Sequence, residues 1–241
     1  MNTERRITQV FVELADTLVD EFDALDFLHT LTERSVELLN ADAAGVILSD
    51  QHGRLQVAAS TSNQAQVLEL FGLQSAEGPC LDCLNTGLMI ANVDLAQAET
   101  RWPRFTEASL RAGYRSTHAI PLRLRDHVIG AMNLFCLNQS TLREEDLALA
   151  QALADVAAIG LLQERAVRES QLIAEQLQTA LNSRVIIEQA KGVLLARSGI
   201  SIDDAFQLMR AHSRRNNQRL SDVAIAVING SLVPRPPGIS D

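Results

Sequence analysis

Residues 116–137, STHAIPLRLRDHVIGAMNLFCL, contain two apolar, strand-forming runs joined at Asp126-His127. Short runs rich in β-branched and other apolar residues on either side of a tight polar connection are typical of a β-hairpin. We therefore predict two neighbouring antiparallel strands in this stretch. They are the final pair of strands that the sequence predicts.

Three more strands are predicted upstream of the hairpin. They cover residues 43–49, 54–60 and 88–93, and the turn residues around Gly53 join the first two. Together with the hairpin they predict an α+β fold with a largely antiparallel sheet. A doubly wound dinucleotide fold is not expected, because the sequence contains neither a G-x-G-x-x-G motif nor a P-loop.

Helical periodicity frames these strands. Apolar residues recur every three or four positions over residues 7–19 and 23–39, which predicts two opening helices. Shorter helices are predicted around residues 64–71, 81–87 and 105–113.

A long helix is predicted from Thr141, a candidate N-cap, to Ser198. It would contain about 56 residues and extend roughly 85 Å at ~1.5 Å per residue. Residues spaced by three and four along one face predict a dimeric coiled coil. These seam positions are Leu147, Ala150, Ala154, Ala157, Leu161, Ala166, Ser170, Ile173, Leu177, Ala180, Arg184 and Ile187. The alternative is a pair of helices broken at the charged residues 165–168.

Two short helices are predicted after the long one. Ser201 is a candidate N-cap for the first, and Ser221 with Asp222 for the second, which is expected to end at Gly230. The Pro-rich residues 231–241 are predicted to be disordered.

Charge is unevenly distributed along the 241 residues, whose formal net charge is −9. Residues 1–175 contain 13 Lys or Arg against 25 Asp or Glu, whereas residues 176–233 contain 7 against 4. Phosphates should be repelled by the acidic part, so nucleic-acid binding is expected only in the basic C-terminal segment.

The absence of targeting signals from the sequence and the small number of cysteines both favour the cytoplasm. The N-terminus lacks the apolar core of a signal peptide, and no stretch approaches the ~18 apolar residues of a membrane helix. Three cysteines are too few for a disulfide scaffold, and their odd number leaves one unpaired. A cytoplasmic protein that does not bind membranes is predicted.

The most specific pattern lies in residues 177–228. It consists of Arg184, Ile187-Glu188-Gln189-Ala190-Lys191-Gly192, Ala205-Phe206, Met209-Arg210, Asn217 and Leu220-Ser221-Asp222-Val223-Ala224. With these spacings the segment closely resembles the ANTAR domain, an RNA-binding module of bacterial transcription antiterminators. The resemblance implies an all-α three-helix unit that binds paired RNA stem-loops as a dimer and blocks an overlapping terminator hairpin.

Two sets of residues in this segment have different expected roles. Basic and amide side chains suit RNA, because guanidinium groups grip phosphates and amides read exposed base edges. The RNA-binding set is Arg184, Gln189, Lys191, Arg210, Arg214, Arg215, Asn217 and Arg219. The packing set, mostly small residues that let helices approach closely, is Ala190, Gly192, Ala205, Leu220 and Ala224. Phe206, the one aromatic residue of the segment, is assigned to the core, so arginines rather than aromatic rings would hold the bases.

Residues 22–165 resemble, more loosely, a GAF domain, an α+β module that senses small molecules or other signals. The matching segments are Glu77-Gly78-Pro79-Cys80, Thr86-Gly87, Val93-Asp94-Leu95, Arg101-Trp102-Pro103-Arg104-Phe105, Gly113-Tyr114-Arg115-Ser116 and Ile129-Gly130-Ala131-Met132-Asn133-Leu134-Phe135. The resemblance implies a fold and the presence of a sensor. It leaves the small-molecule ligand and any cofactor undefined.

Cys80-x-x-Cys83 is compatible with packing, a redox switch or a metal site. Packing is preferred, because one CxxC supplies two of the four ligands of a structural zinc site and no second CxxC or close His pair is present. A redox role would require a lowered thiol pKa. No catalytic motif such as G-x-S-x-G or H-E-x-x-H occurs, so neither a catalytic residue nor a metal site is predicted.

The sequence therefore predicts a signal-responsive antitermination regulator that is not an enzyme. A GAF-like antiparallel sheet with flanking helices is joined by a long coiled-coil helix to a three-helix ANTAR domain. The predicted segments are an N-terminal helix (1–21), a sensor domain (22–140), a linking helix (141–176), an RNA-binding domain (177–230) and a tail (231–241). Two alternatives stay open: a DNA-binding repressor, and a redox or ligand sensor that acts through a protein partner.

Overall fold

The computed structural model describes residues 3–17, 23–50, 52–139, 141–232 and 234. Two units can be distinguished, unit 1 (Met1–Arg165) and unit 2 (Ala166–Asp241). Unit 1 contains α1 (Thr3–Asp16), α2 (Ala24–Leu39), β1 (Ala43–Ser49), β2 (Leu55–Ser60), α3 (Asn63–Ser75), α4 (Pro79–Thr86), β3 (Ile90–Asp94), a short 3-10 helix (Leu95–Gln97), α5 (Pro103–Arg111), β4 (Ser116–Leu124) and β5 (His127–Cys136). The long helix α6 (Glu144–Ser198) begins in unit 1 and ends in unit 2, which also contains α7 (Ile202–Arg215) and α8 (Leu220–Ile228).

The five strands form one antiparallel sheet in the order β2-β1-β5-β4-β3. The predicted hairpin is its centre, since β4 and β5 pair from Ser116 opposite Cys136 to Leu124 opposite His127. The predicted α+β class, with an antiparallel sheet, flanking helices and a long helix followed by shorter ones, is confirmed.

Side chains alternate between the two faces of the sheet, and each face carries its own core. Val46, Ile120 and Met132 lie in one cluster with Phe27 of α2 and Leu153 of α6. The other face packs against α3, α4 and α5 in two clusters. One cluster contains Ala43, Phe105 and Phe135. The other contains Ile47, Cys80 and Ala131.

The start of α6 differs from the prediction. The helix begins at Glu144, and the Arg143 amide donates to the Asp146 carboxylate at 3.1 Å, so Thr141 is not the N-cap. No break occurs at residues 165–168, and the two-helix alternative is therefore wrong.

The first half of the predicted coiled-coil seam is buried within unit 1. Ala150, Ala154, Ala157 and Leu161 belong to the core cluster, and Leu147 packs against it. These positions face the sheet and its neighbouring helices, so the prediction that they pair with a second copy is wrong. The predicted linking helix thus starts as part of the sensor core. Exposed seam positions begin at Ala166.

In unit 2 the end of α6, α7 and α8 surround a small core that contains Ala190, Leu194, Met209, Val223 and Val227. The Ser201 hydroxyl accepts the Asp204 amide at 3.1 Å and caps α7 as predicted. Helix α8 starts at Leu220, with Arg219 and not Ser221 in the N-cap position and no side-chain cap.

The predicted tail is ordered at its start. Ser231 Oγ and the Leu232 amide both donate to the Ala226 carbonyl at 3.1 Å. Residues 233 and 235–241, and the end of the first predicted helix at residues 18–19, lie outside the described residues. Among the described helices none is both long and apolar enough to cross a membrane.

Candidate functional site

The end of α7 and the turn that follows it carry most of the predicted RNA-binding residues. Arg210, Arg214, Arg215, Asn217 and Arg219 are all exposed. Arg210 and Arg214 are four residues apart and therefore lie on one side of the helix. In the described part of the chain none of these four arginines forms an ion pair, so their guanidinium groups are available to an external anion.

Local hydrogen bonds fix the turn between α7 and α8. The Gln218 amide donates to the Ser213 carbonyl at 3.0 Å, and the Ser213 hydroxyl donates to the Gln218 carbonyl at 2.6 Å. Asn216 Nδ2 donates to the His212 carbonyl at 2.9 Å. Asn217 adopts the left-handed conformation, with φ at 49°, which asparagine tolerates better than most residues. The turn therefore presents its side chains from a defined backbone.

On α6 the predicted RNA-binding residues divide into two kinds. Arg184 and Gln189 are exposed. The Lys191 side chain is only 14% exposed, and its Nζ lies 2.7 Å from Glu188 Oε1 and 5.9 Å from the centre of the Phe206 ring. The ammonium group of Lys191 is thus already engaged, unlike the guanidinium groups of α7.

The predicted packing residues also divide. Ala190, Ala205 and Ala224 are fully buried in the core of unit 2, and Leu220 packs against its edge. Gly192 is exposed, and a Cβ added there would meet no atom within 4 Å, so its predicted role in close helix packing is wrong for the described chain. Phe206 is half-buried and lies outside the core cluster of the described unit, so its predicted core role is also wrong.

Gly192→Ala is expected to stabilise unit 2 by about 1 kcal/mol, because Ala has the higher helix propensity and nothing obstructs its methyl group. Hydrogen exchange of the α6–α8 amides in the full chain measures the change. Ala190→Gly, which removes a methyl group from the core of the same unit, serves as a destabilising control. Faster exchange in Gly192→Ala would show that another backbone does approach this position.

Unit 1 contains a buried polar cluster on the sheet face that α3 and α4 cover. Glu69 on α3 is fully buried, and both of its carboxylate oxygens accept from Asn133 Nδ2 on β5, at 2.7 and 2.8 Å. Cys80 on α4 is also buried and lies close enough to Glu69 to influence the pKa of its carboxyl. Gly45 on β1 leaves the space for this carboxylate, since a Cβ there would come within 2.6 Å of Glu69 Oε1. Asn133 Oδ1 is buried without a hydrogen-bond partner.

Sequence reasoning missed this cluster, although two signals were present. Asn133 interrupts the apolar run of β5, and Glu69 lies in a largely apolar helical segment. Each was polar where a core residue was expected, but the sequence alone could not show that the two side chains meet.

Burial shifts the ionisation of several groups in unit 1. It raises the pKa of Glu69 to about 7, because the charged carboxylate loses its hydration and no cation replaces the water. Burial also raises the pKa of Cys80 well above its usual value and that of Cys83 to about 12. The pKa of His118 falls to about 4 for the same reason, and His118 Nδ1 accepts the Asn92 amide at 3.0 Å.

These shifts bear on the two cysteines of the CxxC motif. Both thiols are buried, and their raised pKa values keep them protonated at neutral pH, whereas redox chemistry requires the thiolate. Within the described residues no group of three or more His, Cys, Asp and Glu could hold a metal ion. A packing role for Cys80 and Cys83 is therefore favoured.

Other residues of the unit 1 motifs hold its loops and helices together. Glu77 Oε2 accepts the Arg104 amide at 2.8 Å and the Phe105 amide at 3.3 Å, which satisfies the start of α5. Asp82 accepts Trp102 Nε1 at 3.2 Å, and Trp102 itself is buried, in agreement with its expected packing role.

A surface groove between α3 and α5 is one place where a small molecule would fit. Its volume is about 460 Å³. Val67, Leu68 and Phe71 form an apolar part of its lining, and Arg104 and Arg111 form a charged part. The sequence did not indicate this groove.

Two family models match the chain. The GAF domain model matches residues 23–161, and the ANTAR domain model matches residues 175–228. The GAF match extends beyond residue 140, the predicted end of the sensor domain, and includes the part of α6 that is buried in unit 1. No curated protein matches the chain.

Several solved structures resemble unit 1. The GAF domain of a phosphoenolpyruvate-protein phosphotransferase from Coxiella burnetii is 21% identical, with 70% of this chain and 99% of that chain covered and a TM-score of 0.55. The corresponding domain from Acinetobacter is 13% identical, with coverages of 69% and 98% and a TM-score of 0.53. Free methionine-R-sulfoxide reductase from Neisseria meningitidis is 17% identical, with coverages of 67% and 91% and a TM-score of 0.52. At these identities the likeness establishes the fold.

Proposed function

The chain belongs to the GAF domain family, and because an ANTAR domain follows its GAF domain, we propose that it is a signal-responsive, RNA-binding regulator of transcription antitermination. Both domains are of regulatory rather than catalytic kinds. The observation that carries the proposal is the set of exposed arginines without ion pairs at the end of α7, inside the segment that matches the ANTAR domain.

The chemistry of this surface suits folded RNA. Guanidinium groups bind phosphates bidentately and stack on bases, and the exposed amides of Gln189 and Asn217 can read base edges in a loop. Arg210, Arg214 and Arg219 would supply the phosphate contacts. By holding a stem-loop, the protein would prevent formation of an overlapping terminator hairpin and let transcription continue.

The exposed part of α6 supports a homodimer. Between Ala166 and Leu181 all side chains are exposed, although Val167, Ile173 and Leu177 are apolar and 50–61% accessible. Ala166, Ile173, Leu177 and Ala180 keep the spacing of a coiled-coil seam, which matches the same face of a second copy. A dimer would present two RNA-binding surfaces to two linked stem-loops.

Control by a signal would act through α6. The helix begins in the core of the GAF domain, where Leu153 and Ala154 are fully buried, and continues into the ANTAR domain. The groove between α3 and α5 has a suitable volume for a small molecule. Such a molecule would change the affinity for RNA if it bound more tightly to one of two arrangements of α6 than to the other. RNA affinity that stays constant at a saturating stimulus would contradict this coupling.

Arg214→Ala is expected to weaken binding to a stem-loop RNA and to reduce its salt dependence, because one phosphate contact is lost. The slope of log K against log salt should fall by about 0.7–0.9. Filter binding over a salt series measures both quantities. Arg5→Ala, which removes an exposed arginine of α1 in unit 1, is the matched control.

Unchanged affinity and slope in Arg214→Ala would exclude Arg214 from the RNA-binding surface. A duplex DNA that competes better than the stem-loop RNA would favour the DNA-binding alternative instead.

A further inference from the structure

Phe206 occupies an unusual position in α7. Ala205 and Met209 of the same helix are fully buried in the core of unit 2, whereas Phe206 is half-buried and does not belong to the core cluster of the described residues. A large aromatic ring is therefore held at the edge of the three-helix unit, where part of it meets solvent.

One basic residue lies over this ring, and two more follow it along the same helix. Lys191 Nζ lies over it at 5.9 Å from the ring centre, and Glu188 holds the ammonium group at 2.7 Å. Arg210 and Arg214 follow Phe206 by four and eight residues, so they continue the same side of α7, and both are exposed. The ring thus has a lysine of α6 over it and shares one side of α7 with two exposed arginines.

An aromatic ring among cations is the arrangement by which proteins hold unstacked bases. Stacking on an aromatic side chain holds the base while neighbouring cations bind the backbone. The Lys191 ammonium also stabilises the ring by a cation–π contact and restricts its position. Core packing does not account for the exposed part of the ring.

We propose that the Phe206 ring stacks on an unpaired base of the RNA loop and that Lys191 is a positioning residue that orients this ring. The inference rests on the proposed RNA binding and adds its recognition element, namely an aromatic contact to a base beside arginine contacts to phosphates. It reverses the expectation that arginines alone hold the bases.

Binding of the full chain to an RNA with two adjacent stem-loops tests the inference. Phe206→Ala and Phe206→Leu are expected to lower the affinity by about 5- to 150-fold, the range for loss of one base–aromatic stack. The salt slope should stay unchanged, because no charge is removed. Phe206→Tyr should bind as tightly as the wild type. Ile202→Ala, one turn earlier on α7 and 48% exposed, is the matched control and should have no effect.

A double-mutant cycle identifies the base and the role of Lys191. Each loop base is replaced in turn by an abasic site, and the affinity for the wild type and for Phe206→Ala is measured. The stacked base is the one whose removal causes a loss of affinity that is not additive with the loss caused by Phe206→Ala. Lys191→Ala should weaken the wild type but cause little further loss in Phe206→Ala. Phe206→Leu keeps a large apolar side chain at this position, so it separates the loss of the ring from a loss of folding.

Two different failures can be told apart. If the wild type prefers the stem-loop RNA and Phe206→Leu binds it equally well, Phe206 is not a stacking residue, and the proposed function stands. If the wild type shows no preference for stem-loop RNA, the proposed function fails, and the stacking role fails with it.

Discussion

Replacing both Ile173 and Leu177 by glutamate is expected to convert the proposed dimer into monomers and to lower the affinity for an RNA with two adjacent stem-loops by about 100-fold or more. Both side chains are more than half exposed in the single chain and lie four residues apart on the predicted seam. In a dimer each introduced carboxylate would be buried against a carboxylate of the partner helix, with no cation beside them. Burying such charges strongly disfavours association. The loss arises because two linked surfaces would no longer bind the RNA together.

Sedimentation velocity and RNA binding measure this prediction. The affinity for a single stem-loop should stay the same, since neither residue belongs to the RNA-binding set. Leu172→Glu combined with Thr179→Glu adds the same charge to exposed positions beside the seam, and this variant should remain dimeric. If the seam variant has the mass and the two-loop affinity of the wild type, α6 does not mediate dimerisation.

The free energy of unfolding of the GAF domain is expected to fall as the pH rises from 4.5 to 7, because of Glu69. Burial raises the pKa of this carboxyl from 4.5 to about 7, so in this window the folded domain holds a proton that the unfolded chain has released. The contribution of Glu69 to the stability of the domain is fully present below its pKa in the unfolded chain. It is lost as the pH rises through its pKa in the folded domain. A shift of this size corresponds to a loss on the order of 3 kcal/mol. Asn133 donates to the carboxylate, and neither it nor the nearby Cys80 supplies a positive charge.

Glu69→Gln should remove this pH dependence. The glutamine stays neutral at every pH, so the variant is expected to be more stable than the wild type above pH 7 and to lack the decline between pH 4.5 and 7. Urea unfolding of the full chain at several pH values, followed by the fluorescence of Trp102, measures the difference, because Trp102 is the single tryptophan and is buried in unit 1. Glu99→Gln, an exposed carboxylate of the same unit, is the control. Equal pH profiles for Glu69→Gln and the wild type would exclude Glu69 as the cause.

Local patterns predicted the order of the elements well, because strand alternation and helix capping are properties of short segments. The β4–β5 hairpin and the Ser201 cap are examples. The α6 seam was harder, since Ala150 and Ala154 have the spacing of a coiled coil whether a second helix or a sheet covers them. Such a pattern shows that a face is buried and does not show what buries it.

The candidate sites show the same limit. Arg210, Arg214 and Asn217 were predicted from motif spacing, and the structure finds them exposed near one helix end. Gly192 and Phe206 were misassigned because residue type alone does not reveal which side of a helix faces the core. The contact between Glu69 and Asn133 joins residues 64 positions apart, and no local pattern could predict it.

RNA binding by the protein is tested most directly by the affinity of the full chain for a labelled RNA with two adjacent stem-loops over a salt series. An unstructured RNA and a duplex DNA serve as competitors. We expect a clear preference for the stem-loops, with an affinity that falls as salt rises. Equal affinity for all three nucleic acids, or no binding to any of them, would contradict it.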